Sequence, residues 1–242
     1  MLKTYESLVN ELKKIKDIGF VKTHRSGNTG IGKTLEDLLG IEENNIAGPD
    51  VEMIELKAAR KGSPSMLTLF TKSPLPYGCN SVLLNEYGYP KPNTNKKHLH
   101  TTINAVSFNT LKGGKGLKAA ICDDKIEILG PNNNAAKILG CNPYWDKESL
   151  QKQFEKKYPG GLLYVKADAR GSGKNEEFHF NEAWIMHDFS FSNFTKLLQD
   201  GHLLIDIRIG QYSDGSPHDH GTGFRVKPDK LDLCFSIRKQ VL

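Results

Sequence analysis

The spacing of apolar residues predicts several helices along the chain. Over residues 3–16, Leu8, Leu12 and Ile15 recur at helical intervals, while lysines and glutamates occupy the other face. Residues 73–98, rich in Pro, Gly, Asn and Tyr, lack such a pattern and are predicted to form a loop. Further helices are predicted at residues 33–39, 147–158 and 192–200.

Alternation of apolar and polar residues predicts strands elsewhere. In residues 51–59, Ile54 and Leu56 share one face of the predicted strand. Glu55 and Lys57 share the other face. Further strands are predicted at these segments: 66–71, 102–108, 117–122, 125–129, 162–167, 182–187, 203–209 and 231–237. Because helices and strands do not alternate regularly, the order of elements predicts an α+β fold with a mixed sheet.

The composition is typical of a soluble globular protein. The chain has 242 residues, 38% hydrophobic and 25% charged, and is long enough to bury a sizeable core. Its net charge of +5 permits a polyanionic partner without requiring one. The four cysteines form no C-x-x-C pair, which argues against a structural zinc site. No apolar run is long enough to span a membrane, so we expect a cytoplasmic protein with reduced thiols.

A glycine-rich octet at residues 27–34, GNTGIGKT, matches the phosphate-binding pattern G-x-x-x-x-G-K-[ST] at every fixed position. This match favours a P-loop nucleotide hydrolase, and the apolar run that ends at Asp206 is similar to the strand that helps to hold Mg²⁺ in such enzymes. A P-loop also requires a buried strand before it, whereas residues 22–26 are polar or charged. The alternative is a glycine turn that opens a short helix, which Gly40 is placed to end.

A second candidate site consists of Asp50, Glu55 and Lys57, in the pattern P-D, a short gap and E-x-K. Two carboxylates offer the oxygen ligands that Mg²⁺ prefers, and a lysine can orient the attacking water in phosphodiester hydrolysis. The alternative is a solvated strand face. Other [DE]-x-K triplets occur at 11–13, 123–125 and 155–157. The first and third lie on predicted helices, where positions i and i+2 point apart, and the second lies at a predicted hairpin turn.

Glu36, in the helix that the octet opens, completes an ordered set of motifs. The order is G-x-x-G-x-G-x-x-L-E, then P-D, then E-x-K. This order resembles the MvaI/BcnI-type restriction endonucleases, which belong to the MutH-like branch of the PD-(D/E)xK nucleases. The similarity extends to the run DIRIGQYSDGSPHDHGTGFR at residues 206–225.

The resemblance implies a type II restriction endonuclease that hydrolyses DNA with Mg²⁺. By the family pattern, Asp50, Glu55 and the backbone carbonyl of Leu56 bind the metal. Lys57 assists the attacking water, and Glu36 lies beside the metal site.

The resemblance also implies an architecture and partners. It implies a PD-(D/E)xK fold of two lobes that form a DNA-binding cleft, within one nuclease domain over residues 1–242. Active-site residues are expected within about 27–72, and the DNA-reading lobe is expected to include about 165–242. MvaI-type members cut within CCWGG and BcnI-type members within CCSGG, and we expect the first site here. The same resemblance implies that the enzyme is a monomer and that its partner is double-stranded DNA. It also implies a companion DNA methyltransferase in the same cell.

Side chains suited to reading DNA bases lie towards the C-terminal end of the chain. Arginine suits the O6 and N7 atoms of guanine, and a carboxylate suits the N4 amino group of cytosine. Asp206 and Arg208 share one strand face, where the alternative is a surface ion pair. Three further candidates follow them: His218, His220 and Arg225. The alternatives for the histidines are a solvated loop or adventitious metal binding. Near the octet, DNA phosphates could be contacted by Lys22, His24, Arg25 and Lys33.

Three other functions remain open from the residues. A MutH-like repair enzyme would nick one strand at its site instead of cutting both. A P-loop hydrolase would depend on Lys33 for nucleotide hydrolysis. A catalytically silent DNA-binding module would bind DNA without cleaving it and would be indifferent to Mg²⁺.

Overall fold

The computed structural model describes residues 5–41, 53–111, 116–130 and 141–242. In chain order, its strands are β1 (Val21–Lys22), β2 (Ile54–Arg60), β3 (Leu67–Thr71), β4 (Tyr89–Pro90), β5 (Lys97–Ile103), β6 (Lys118–Ile121), β7 (Lys125–Leu129), β8 (Tyr144–Asp146), β9 (Gly161–Arg170), β10 (Glu177–His187), β11 (Leu203–Gln211), β12 (Pro217–Asp219), β13 (Gly223–Val226) and β14 (Ile237–Gln240). Its α-helices are α1 (Tyr5–Ile18), α2 (Gly30–Leu38), α3 (Cys79–Tyr87), α4 (Lys147–Lys157) and α5 (Phe191–Gln199). Short 3-10 helices lie at Gly173–Asn175 and Pro228–Leu233.

The chain divides into two compact units. The first comprises residues 1–65, 155–189 and 232–242, and the second comprises residues 66–154 and 190–231. The second unit is therefore inserted into the first, and the chain passes between them more than once. Both units combine strands with helices, which confirms the predicted α+β class.

The first unit is built on a mixed sheet. The order of its described strands is β1-β10-β9-β2, with β14 also beside β10. Strand β2 runs parallel to β9, and the other pairs are antiparallel. Leu12 of α1, Leu35 of α2 and Leu56 of β2 belong to one hydrophobic cluster. Because successive side chains of a strand point to opposite faces, burial of Leu56 in this cluster directs Glu55 and Lys57 to the other face.

The second unit holds a larger sheet of order β3-β13-β11-β5-β4, in which β12 also pairs with β11, and a small sheet of order β6-β7-β8. Its core is aromatic: the rings of Phe70 and Phe224 stack with their centroids 4.9 Å apart. Along β11, Ile207 is completely buried, as are the isoleucines two residues to either side. The alternation of the strand therefore sends Asp206 and Arg208 to the opposite face.

Four predicted helices are confirmed, as α1, α2, α4 and α5. The hairpin predicted at 117–129 is confirmed as the antiparallel pair β6 and β7. The prediction of a loop at 73–98 is wrong, because α3 lies inside it with Leu83 and Leu84 buried. Its flanking turns supply most of the Pro and Gly, so composition averaged over the whole segment concealed a helix of nine residues.

Two predicted strands near other turns also need correction. The segment 231–237 was predicted as a strand, but it ends a 3-10 helix, and β14 begins only at Ile237. Leu231, Cys234 and Phe235 are buried at the three- and four-residue intervals of a helical turn, not at alternate positions. The strand predicted at 102–108 lies earlier, as β5.

Helix α2 begins inside the glycine octet, at Gly30. A Cβ at Gly30 would lie 2.1 Å from the Arg25 carbonyl oxygen and 2.8 Å from Thr23 Oγ1, whereas the nearest atom to a Cβ at Gly32 is 4.0 Å away. The buried hydroxyl of Thr34 donates to the Gly30 carbonyl oxygen at 2.8 Å. The glycine at position 30 therefore allows a close approach between the start of the helix and the preceding turn.

We expect Gly30→Ala to lower the free energy of unfolding by about 2–3 kcal/mol, because backbone must move to admit the methyl group. Gly32→Ala is the matched control, and we expect it to leave stability unchanged or to raise it by up to about 1 kcal/mol, since alanine favours helix. Urea denaturation followed by circular dichroism measures both. Equal stability of the two variants would contradict this account of the turn.

Candidate active site and DNA-reading face

The carboxylate of Glu55 is the central group of the candidate active site. It lies on β2 and is completely buried. A buried charge is costly unless it is compensated. Lys57 Nζ lies 2.5 Å from one carboxylate oxygen of Glu55, and Lys157 Nζ lies 2.8 Å from the other. Glu55 is thus held between the ammonium groups of two lysines. About a quarter or less of each lysine side chain is exposed.

Lys157 is a residue that sequence reasoning missed. It is the last residue of α4, and it belongs to the triplet Glu155-Lys156-Lys157. That triplet matches the E-x-K spacing but lies on a predicted helix, where residues i and i+2 point apart. Lysine in the last turn of a helix is common, since it complements the helix dipole. Nothing in the local spacing distinguishes Lys157 from Lys156, and the distinction comes only from the tertiary contact with Glu55.

The structure describes only some of the other residues predicted for the metal site. Asp50 lies outside the described residues. Leu56 is buried on β2, next to Glu55. Glu36 is partly buried on α2, a helix that packs against β2. Within the described ranges, no three His, Cys, Asp or Glu side chains are grouped so that they could hold a metal ion.

Two of the four predicted phosphate-contacting residues near the glycine octet, Lys33 and His24, contact one carboxylate. Lys33 Nζ lies 2.8 Å from one oxygen of Asp37, and His24 Nδ1 lies 2.9 Å from the other. Hydrogen bonds from Lys33, and next from His24, lower the pKa of Asp37. The strand before the octet, β1, has only two residues and pairs antiparallel with β10. The buried parallel strand that a P-loop requires is therefore not present before the octet, among residues that the structure describes.

The second unit brings together three of the predicted DNA-reading residues. Asp206 is 5% exposed, and its carboxylate accepts a hydrogen bond from Arg208 Nε at 2.6 Å and one from Thr102 Oγ1 at 3.0 Å. Arg225 Nε lies 3.1 Å from the same oxygen that Arg208 contacts. Both guanidinium groups thus approach Asp206 through Nε. Burial lowers the pKa of Arg225, while the nearby carboxylate of Asp206 opposes this effect.

The two predicted histidines lie beside this group. His218 is on β12, His220 follows it, and their ring centroids are 4.2 Å apart. The backbone N–H of His220 donates to the carbonyl oxygen of Arg208 at 2.9 Å. Burial and the neighbouring His218 lower the pKa of His220. The histidine pair is therefore fixed next to the arginine–aspartate group by main-chain contacts.

Comparison with known protein families favours one of the open functions. The model of the MvaI/BcnI restriction endonuclease family matches residues 9–235. The chain belongs to this family. As a member of the MvaI/BcnI family, it is a type II restriction endonuclease, a site-specific deoxyribonuclease. Membership of the family implies a divalent metal cofactor and argues against the nucleotide hydrolase.

Solved structures agree with this assignment. The chain is 31% identical to the protein in a "Restriction endonuclease MvaI-cognate DNA substrate complex", with a TM-score of 0.87 and 100% of both chains covered. It is 30% identical to the protein in "Restriction endonuclease MvaI in the absence of DNA", with a TM-score of 0.60 and coverage of 100% and 99%. A search of curated proteins gave no match. The fold of this MvaI/BcnI family member is thus that of a restriction endonuclease. Among its described helices, none has the length and apolar character needed to cross a membrane.

Proposed function

We propose that this restriction endonuclease hydrolyses DNA phosphodiester bonds with Mg²⁺ at a site on β2. The observation that carries the proposal is the buried carboxylate of Glu55, held on a strand between Lys57 and Lys157. Glu55 and the main-chain carbonyl of Leu56 fit an Mg²⁺ ion because both are oxygen ligands. Asp50 would complete the ligand set.

In the proposed mechanism, the residues of β2 orient the reactants. A bound Mg²⁺ ion would polarise the scissile phosphate and lower the pKa of a coordinated water. Lys57, whose ammonium group adjoins Glu55, would hold the attacking water in line and stabilise negative charge as it develops on the phosphate. Glu36 would lie beside this site, as in the family pattern.

We assign Lys157 a positioning role, because it contacts Glu55 from another element and would act through it. We expect Lys157→Gln to reduce the cleavage rate at saturating Mg²⁺ roughly 10-fold, an effect typical of groups that orient a metal ligand. The exposed neighbour Lys156 provides the control: Lys156→Gln removes the same charge from the same helix turn and should leave the rate unchanged. Equal rates of the two variants in single-turnover cleavage would contradict the positioning role.

The proposed substrate is double-stranded DNA that contains CCWGG. Approach of Arg208 and Arg225 to Asp206 through Nε would leave their terminal amino groups for the O6 and N7 atoms of guanine. Asp206 would then hold the two arginines instead of reading cytosine by itself. His218 and His220 would add further contacts, and Lys22, His24, Arg25 and Lys33 would meet phosphates. A monomeric enzyme, a companion methyltransferase and a cytoplasmic location complete the proposal.

Digestion of an unmethylated supercoiled plasmid tests this function. We expect discrete linear fragments in the presence of Mg²⁺, none after addition of EDTA, and no requirement for a nucleotide triphosphate. Accumulation of nicked circles without linear product would replace the proposal by a MutH-like nicking activity. Binding of DNA without any cleavage would leave only the silent binding module.

A further inference from the structure

Six aromatic side chains form a continuous row of ring contacts in the second unit. Successive ring centroids are 4.4, 5.0, 6.0, 4.2 and 4.4 Å apart. The members of this histidine row, in order, are Tyr89, His98, His100, His220, His218 and Tyr212. Two of the four histidines, His98 and His100, have no role in the proposal above.

The strand register places the histidine row on the face that carries the arginine–aspartate group. His100 of β5 lies directly opposite Arg208 of β11, with no offset, in the antiparallel pairing. Residues paired in this way project their side chains to the same face of the sheet. His98, two residues earlier on β5, shares this face. Leu99, between them, is completely buried on the other face, so a shift of register would expose it.

Gly210 makes room for the histidine row. It follows Ile209 on β11, and a Cβ at this position would lie 2.7 Å from His220 Nε2. Any side chain here would push the imidazole away from the sheet. The position thus keeps His220 within contact of His100, at a centroid distance of 6.0 Å.

The chemistry of the histidine row favours base edges over a metal ion or phosphates. In the part of the chain that the structure describes, no three of its histidines and neighbouring acids form a metal-holding group. A neutral imidazole carries one donor and one acceptor, so it can distinguish base edges, whereas a phosphate calls for a cation. Burial, and next the neighbouring His98, Arg208 and His220, lower the pKa of His100, which favours its neutral form.

We propose that His98 and His100 are sequence-reading residues, which contact base edges of double-stranded DNA next to those contacted by Arg208. This inference rests on the proposed function, because it assumes that the face of Asp206 and Arg208 reads DNA. His100 lies closest to the arginine by register and makes the principal contact. His98 stacks on His100, with ring planes 23° apart, and extends the same surface.

The test is equilibrium binding to DNA duplexes with Ca²⁺ in place of Mg²⁺. One duplex carries the site mapped from the plasmid digest, and the others each change one base pair of it. The proteins are the wild type, His98→Ala, His100→Ala and, as control, His202→Ala. His202 is a histidine of the same unit that follows α5 and precedes β11, outside the histidine row.

We expect His100→Ala to reduce the ratio of cognate to altered-site affinity about 10-fold at one base-pair position, the range of a single base contact. Affinity for unrelated DNA should change less than about 2-fold, and His202→Ala should match the wild type. Uniform weakening on every duplex would identify a phosphate contact and overturn the inference, as would unchanged selectivity in both row variants. If the wild type itself binds all duplexes equally, the proposed function fails as well, so the two failures are distinguishable.

Discussion

Lys57→Ala is expected to lower the single-turnover cleavage rate roughly 10²- to 10³-fold, the loss typical of one group that stabilises developing charge. The reason is its position: its ammonium group contacts the buried Glu55 carboxylate on the strand that would present both to the scissile phosphate. Binding of cognate DNA should change little, since the proposed reading face lies in the second unit.

Comparison of Lys57→Ala with Lys157→Gln separates a direct role in the reaction from compensation of the buried Glu55 charge. Each lysine contacts one oxygen of Glu55, so removal of either leaves that buried carboxylate with one ammonium contact fewer. We expect similar losses of stability, about 1–3 kcal/mol, from the two variants. The loss of rate should be at least 10-fold greater for Lys57→Ala. Full activity of Lys57→Ala would exclude Lys57 from the reaction.

Asp206→Asn is expected to weaken binding of cognate DNA about 100-fold. The Asp206 carboxylate lies within 3.1 Å of the Nε atoms of both Arg208 and Arg225. Loss of its charge would release two guanidinium groups, each of which would contribute about 1–3 kcal/mol of base discrimination. Binding of unrelated DNA should persist or increase, because the substitution removes one negative charge from a face that would lie against polyanionic DNA.

The control for this prediction is Asp200→Asn, which makes the same charge change at the end of α5 in the same unit. Fluorescence anisotropy with cognate and unrelated duplexes measures both variants. An equal loss of affinity on both duplexes would contradict the role of Asp206 as the holder of two reading arginines. If Asp206→Asn left the affinity for both duplexes unchanged, the reading face would lie elsewhere.

The sequence predicted the fold class and the pairing of Glu55 with Lys57 because both depend on local periodicity. Alternation along β2 is enough to place the two side chains on one face. The contact of Lys157 with Glu55 could not be predicted, since the first segment of the second unit, residues 66–154, lies between them in the chain. His98 and His100 are two residues apart, so alternation places them on one face of a strand. Their position beside Arg208 depends on the strand register, which no local pattern specifies.

The glycine octet matches the phosphate-loop pattern without the structure that phosphate binding by such a loop requires. Gly32 and Lys33 satisfy the phosphate-loop pattern, yet Lys33 contacts Asp37 of its own helix, and the nearest atom to a Cβ at Gly32 would be a side-chain oxygen of Glu36 at 4.0 Å. The glycine that the packing requires is Gly30, which the pattern leaves variable. The octet thus serves to start α2 close to the preceding turn.

The most direct test of the central claim is to sequence the DNA ends left by the wild type and by Lys57→Ala. An unmethylated plasmid is digested in Mg²⁺, and every end is mapped to its flanking sequence. We expect the wild-type ends to fall at one short sequence, CCWGG, and the variant to leave almost none under the same conditions. Ends scattered without a common sequence, or equally abundant ends from Lys57→Ala, would contradict a sequence-specific nuclease whose chemistry lies at Glu55 and Lys57.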